Sequence, residues 1–300
     1  MMEPEYYVFT GREVPDHVTH VLIAKALNFV RAHAFEEHPN IQEVICHDGV
    51  EKIEQFAFDE CRSLRRVIMP GVKVLEEGAF TNCESLTYID CGKLERIGRG
   101  VFNDCTSLSS IDLPSIKIVE TGAFCGCRNL PSVKFGKTME SLGLVAFCNC
   151  PSLERIALPL KDGMIDTMNA ANDIFQGCVK LNHVDLVEGK ILDETVAALL
   201  LEEWKKDMNE EIDSINQILL STHAGNTYRY GVDIVLGGKA QAIRTWIRTV
   251  LRKIIDYKAA HRRYVNEAAA TLQSSLPNDI VLKNVFPFLD LPSYTFDGED

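Results

Sequence analysis

The sequence has no surplus of basic residues: 31 Lys and Arg stand against 43 Asp and Glu, a formal net charge of −12. Both halves of the chain are acidic. Phosphate backbones and anionic lipid repel such a chain, so neither nucleic acid nor membrane is expected as a partner. No run approaches the roughly 20 uninterrupted apolar residues of a membrane helix. The start, Met1-Met2-Glu3-Pro4-Glu5, has no basic stretch and no apolar stretch after it, so no signal peptide is expected. Asn-x-Ser/Thr sequons are also missing. The expected setting is cytoplasmic, with the nucleus as the alternative. In such a reducing compartment the 10 cysteines are thiols and not disulfides.

The signatures of chemistry are missing as well. There is no Gly-x-Ser-x-Gly and no Gly-x-Gly-x-x-Gly, and none of the 8 histidines forms a His-x-x-x-His pair. Gly136-Lys137-Thr138 imitates the end of a phosphate-binding loop, but the glycine required five residues earlier is Pro131. Cys125-x-Cys127 and Cys148-x-Cys150 bring thiols close, yet a zinc site needs paired Cys-x₂₋₄-Cys spacings and four converging ligands. The expectation is no catalytic residue, no cofactor and no metal. A thiol or metal enzyme would instead show as metal in the purified protein, or as selective reactivity of Cys125 or Cys148.

What is present is a repeat, marked by Phe35, Phe58, Phe80, Phe102, Phe124, Phe147 and Phe175 at spacings of 23, 22, 22, 22, 23 and 28. Three residues after each Phe come His38 and then Cys61, Cys83, Cys105, Cys127, Cys150 and Cys178. Leucine or isoleucine follows at six residues and β-branched residues at nine: Val44, Val67, Ile89, Ile111, Val133, Ile156 and Val184. Another apolar residue lies two positions further on, the strand period, so both side chains point inward. Gly or Pro then turns the chain, as at Pro70-Gly71. One repeat cannot bury such a set alone, whereas stacked coils can. Eight strands are expected, the first at Val21 within an N-terminal cap over Glu13–Ile23. A bulge is expected at Leu160–Asn172. The cysteine column reads as a buried ladder of small apolar side chains.

The motif Ala-Phe-x-x-Cys-x-x-Leu-x-x-Ile-x-Leu-Pro resembles the BspA-like class of leucine-rich repeats, over about Val14–Leu186. It lacks the asparagine ladder of the commonest leucine-rich repeats, so their curvature does not carry over. The resemblance implies a protein-interaction surface and names no ligand. Together with the helices described next, it gives the fold class: α/β, a right-handed leucine-rich-repeat-like solenoid with one parallel sheet, followed by an antiparallel helical hairpin.

The period changes after Lys190. In Leu192–Leu219, Ala197, Leu201, Trp204, Met208, Ile212, Ile215 and Leu219 fall on one helix face. Ser221–Gly238 reads as a connection, and a second helix follows over Lys239–Leu272 with Ile243, Trp246, Val250, Ile254, Tyr257, Tyr264 and Ala268 on one face. The first helix carries eight acids against two bases, the second eight bases against two acids. Opposite charge favours antiparallel pairing; a coiled coil that joins two copies or docks a partner is the other reading. The expected division is 1–190 solenoid with its N-terminal cap, 191–275 helical hairpin, and 276–300 a short tail helix packed on the hairpin followed by an acidic end. Glu-Glu-Trp, Ile-Arg-Thr-Trp-Ile-Arg and Leu-Pro-Asn-Asp-Ile-Val after the repeats are similar to repeat proteins of unicellular algae, which implies a shared architecture only. Leu276–Leu289 also resembles the start of an F-box, which implies a substrate adaptor of a ubiquitin ligase as the alternative function.

The informative surface is the outward row of the sheet, between and beside the inward residues. Ile45, Arg66, Ile68, Tyr88, Asp90, Asp112, Lys134, Arg155 and His183 are the candidate contacts to a protein partner of unknown identity. Solenoids use such rows as extended docking faces, and Arg and Tyr are over-represented among interface anchors.

Overall fold

A computed structural model describes residues 5–164, 174–187, 189–199, 201–222 and 238–273. Residues 165–172 of the bulge expected at Leu160–Asn172, most of the connection between the long helices, and the F-box-like tail lie outside the described residues. The chain divides into two compact units. One comprises the described residues of Met1–Val187 and Asn216–Arg244, the other those of Glu188–Ile215 and Thr245–Asp300.

The first unit is the solenoid. Tyr7–Phe9, His20–Ile23, Glu43–Ile45, Arg66–Ile68 and Tyr88–Asp90 pair side by side in chain order. Asp112–Leu113, Ser132–Phe135, Arg155–Leu158 and His183–Leu186 form a second ladder in the same manner. Every pairing is parallel. All eight expected strand positions are therefore occupied, with Ile111 one residue ahead of its strand. Two expectations need correction. The first strand is Tyr7–Phe9, ahead of the expected cap. The single expected sheet is also interrupted between Tyr88–Asp90 and Asp112–Leu113. In the two preceding coils the N–H groups of Cys46 and Met69 donate to Ile68 O at 2.7 Å and Asp90 O at 2.9 Å. At Cys91 it is the thiol that reaches Asp112 O, at 3.7 Å.

A third parallel ladder was not expected. The two-residue strands Phe29–Val30, Lys52–Ile53, Val74–Leu75, Arg96–Ile97, Ile118–Val119 and Ser141–Leu142 stack in register. They coincide with the apolar rungs that precede each Phe, so the coils from Phe29–Val30 to Ser141–Leu142 are laddered on two sides except at the interruption between Tyr88–Asp90 and Asp112–Leu113.

Between the ladders lies the core. The seven repeated phenylalanines are buried. Phe58 and Phe80 stack at 5.0 Å with planes 3° apart, and Phe80 and Phe102 at 5.7 Å and 12°. That spacing is close to the distance between neighbouring strands, about 4.8 Å, so each ring rides on its own coil. Each ladder cysteine donates its S–H to the carbonyl of the preceding coil's phenylalanine, from Cys61 to Phe35 O at 2.8 Å through Cys178 to Phe147 O at 2.9 Å. His38 takes the thiol's place at the front, with Nε2 3.2 Å from Pro15 O, and burial lowers its pKa. The residue two after each Phe is left-handed in all seven coils: Glu37, Glu60, Asn82, Asp104, Gly126, Asn149 and Gly177. At Gly71 and Gly136 the constraint is space. An added Cβ would lie 2.0 Å from Asp48 O and 1.9 Å from Pro114 O, so Gly136 serves coil packing. At the end of the stack the Lys239 ammonium, only 3% exposed, donates to Leu181 O and, at 3.2 Å, to Cys178 O. Asn216 Oδ1 accepts from Val184 N–H at 3.1 Å.

The helices are α1 (Gly189–Ala197), α2 (Glu202–Ser221) and α3 (Lys239–Gln273). The single helix expected over Leu192–Leu219 is thus two. Leu199 N–H bonds back to Val196 O in a tight three-residue turn that closes α1, and Leu201 O receives the first bonds of α2 from Trp204 and Lys205. In the second unit, α2 and α3 run antiparallel, as the charge pattern predicts. Trp246 donates to Glu211 O at 2.8 Å, Lys253 bridges Asp207 and Glu211 at 2.9 and 3.0 Å, and Trp204 stacks on Tyr257 at 5.0 Å. The expected apolar face of α3 is buried from Ile243 through Ile254, but Tyr264 is 43% exposed. Among the described residues no helix is long and apolar enough to cross a membrane.

Candidate functional site

The strand alternation decides which side chains the sheet presents. Val44, Val67 and Ile89 point into the core, so their neighbours in sequence face outward. Parallel register then sets those neighbours beside one another. Glu43, Arg66 and Tyr88 form one line across three strands, and Ile45, Ile68 and Asp90 form the next. In the second ladder Asp112 lies beside Lys134, and Arg155 beside His183. The nine candidate residues are therefore gathered as two groups, five on the first ladder and four on the second.

The first group is braced from below. The Tyr6 hydroxyl donates to Glu43 Oε2 at 2.5 Å. This bond and partial burial hold the hydroxyl's pKa above its ordinary value. Glu43 Oε1 lies 3.3 Å from Arg66 Nη1, with the Glu43 side chain 12% exposed and that of Arg66 53% exposed. The Arg66 guanidinium in turn lies 5.4 Å from the centroid of the Tyr88 ring, which is 46% exposed. A cation over an aromatic face at an exposed position contributes about 0.5–1 kcal/mol. The result is an arginine and a tyrosine set side by side before any partner arrives. Ordering such side chains otherwise costs binding about 0.5–1.5 kcal/mol each. The sequence offers Ile45 and Ile68 as exposed apolar contacts, but here they are half-buried. They lie in line with Leu22 across adjacent strands, and the three cover one another.

Two residues of the second group, Lys134 and Arg155, line a shallow depression of about 400 Å³ together with Ser132, Ala157, Asp185 and Leu186 among others, whereas Asp112 and His183 do not. Arg155 Nη1 pairs with Asp185 Oδ2 at 3.2 Å, and His183 Nε2 lies 3.2 Å from Asp185 Oδ1. Ala157 is buried between Lys134 and Asp185 and forms the floor. Lys134 and Asp112 stay exposed. Both groups mix charges of either sign at short range. Sequence reasoning passed over Tyr6, whose sole signal is a tyrosine ahead of the repeated frame, and the bracing of both arginines, which depends on neighbours one coil away.

Among the described residues, no group of three or more His, Cys, Asp or Glu is placed to hold a metal ion. All ten cysteines are free thiols. Burial pushes the pKa values of Cys46, Cys61 and Cys91 up to about 12, so at neutral pH these are inert core side chains.

The sequence profile described as BspA type leucine rich repeat region (6 copies) matches residues 28–154 and 95–197, together more than half of the chain. No curated protein matches. Among solved structures, a leucine-rich repeat protein of T. pallidum is 26% identical with a TM-score of 0.44, over 48% of this chain and 68% of that one. A leucine-rich repeat protein of Bacteroides ovatus is 21% identical with a TM-score of 0.35, over 56% and 61%. The pneumococcal vaccine antigen PcpA is 17% identical with a TM-score of 0.27, over 61% of each chain.

Proposed function

The chain belongs to the BspA-type leucine-rich repeat family, and from that premise we propose that it is a non-enzymatic scaffold that binds a partner protein on the outward row of its sheet. Proteins built from these repeats are generally interaction scaffolds and are typically not enzymes. The observation that carries the reading is the braced Arg66–Tyr88 pair. Two side chains of the types that dominate binding hot spots stand exposed and already ordered. Ile45, Ile68 and Asp90 adjoin the pair, and Asp112, Lys134, Arg155 and His183 extend the surface along the second ladder. The mixture of Glu43, Asp90, Asp112 and Asp185 with Arg66, Lys134 and Arg155 suits a protein surface of mixed charge. A polyanion suits it poorly, given the net charge of −12.

The test is quantitative affinity capture with the wild-type chain, an Arg66→Ala/Tyr88→Ala variant, and a control substitution on the third ladder, Lys52→Ala. The expected result is a protein captured by the wild type and by the control but lost from the double variant, whose circular dichroism is unchanged. Equal capture by all three would remove this surface from the account.

A further inference from the structure

The position directly after each repeated phenylalanine carries Glu36, Asp59, Thr81, Asn103, Cys125, Cys148 and Gln176. Five of these seven side chains are polar. The column therefore lies at the rim of the stack, outside the apolar core. A cysteine here does not fill space as the ladder cysteines two positions later do. Accessibility agrees: Cys125 and Cys148 are half-buried, whereas the other eight cysteines are buried.

The two rim cysteines also occupy adjacent coils in register. Phe124 N–H donates to Ala146 O and Gly126 N–H to Cys148 O, each at 2.8 Å. The neighbouring rings of Phe124 and Phe147 stack at 5.1 Å with planes 2° apart. Backbones at this spacing fall inside the Cα separation of roughly 4.4–6.8 Å that a disulfide spans. The Cys125 and Cys148 thiols interact directly, and the Cys148 S–H reaches Gln176 Oε1 at 3.8 Å. The Cys150 and Cys178 thiols also interact, but each donates its S–H to a phenylalanine carbonyl and both are buried, which closes them to reagents.

We propose that Cys125 and Cys148 form a reversible disulfide that staples their two coils together, made by exchange with a low-molecular-weight disulfide such as oxidised glutathione. The thiolate of one cysteine attacks a sulfur of the small disulfide, whose S–S bond breaks to release one thiol. The other cysteine then loses its proton and attacks the protein-side sulfur of the mixed disulfide, releasing the second thiol. Two protein thiols and one small disulfide become one protein disulfide and two small thiols, and the protein is oxidised by two electrons. The interaction with the Cys148 thiol, with burial, holds the Cys125 pKa above its ordinary value. Exchange is therefore slow at neutral pH and faster in mild alkali.

The experiment uses the full chain, reduced and then equilibrated with oxidised glutathione at mildly alkaline pH. The expected product is ~2 Da lighter, and non-reducing peptide mapping joins Cys125 to Cys148. Its Tm should rise by ~5 °C and return on reduction. Cys125→Ser and Cys148→Ser should each lose both the link and the shift. Glutathione adducts on the two cysteines without a link, a link dominated by other cysteines, or a linked chain of unchanged Tm would each overturn the proposal. If the serine variants do not fold, the wild-type map and its Tm still decide.

Discussion

Two columns of the solenoid, a few ångströms apart, follow opposite rules. Inside, every coil repeats the last: phenylalanine over phenylalanine, thiol donating to the carbonyl one coil back. The outward row is mixed: Glu43, Arg66 and Tyr88 stand side by side where the core has Val44, Val67 and Ile89. Burial explains the difference. A stacked interior accepts only side chains that fit the same slot at each coil spacing, whereas an exposed row costs the fold little whichever residues fill it. The interior thus fixes the fold, and on the proposed reading recognition falls to the face the stack leaves open.

Substitutions can break or sharpen this contrast. The largest expected effect is inside: Phe102→Ala removes a ring stacked on both sides and should cost about 3–5 kcal/mol in urea unfolding. Cys105→Ala should cost less, about 1–2 kcal/mol, because Phe80 O keeps its bond from Cys83 N–H when the thiol is lost. Should Cys105→Ala prove neutral, neither the thiol's bond nor its packing would contribute to stability.

A smaller effect belongs to the second unit and to alkaline pH. Burial, and then the hydrogen bond to Asp207, push the Tyr257 pKa up to about 12. The unfolded value is about 10, so the phenol's contribution is complete below pH 10 and is lost as pH rises toward 12. The wild type should therefore lose thermal stability relative to Tyr257→Phe across that interval. Parallel curves for the two proteins would show that the Tyr257–Asp207 bond does not contribute.

Much of this contrast is legible in the sequence because burial repeats. The 22- and 23-residue period marks the core columns, and the β-branched residues nine positions after each Phe mark the strands. What escapes is whatever does not repeat or is too short to alternate. Tyr7–Phe9 pairs with Val21–Ile23 but stands outside the repeated frame. The third ladder is built from two-residue strands, too short for a period of two to show. The left-handed residue after each Phe leaves a trace in Asn82, Asn149, Gly126 and Gly177, but Glu37 and Glu60 obscure it. Charge and apolar spacing announce the α2–α3 pairing, whereas the break before Leu201 rests on a local turn within a run of leucines. At the candidate site alternation names the outward row, and side-chain type picks the nine residues from it. Their bracing by Tyr6, Glu43 and Asp185 required the register between coils.

The most direct test of the division between a fold-making interior and a recognising exterior is a pair of numbers for one variant, Arg66→Ala/Tyr88→Ala: its urea midpoint and its Kd for the captured partner. The account predicts stability within about 1 kcal/mol of wild type and binding weaker by roughly 100-fold. A variant that binds as tightly as the wild type, or that loses binding only because it unfolds, would contradict it.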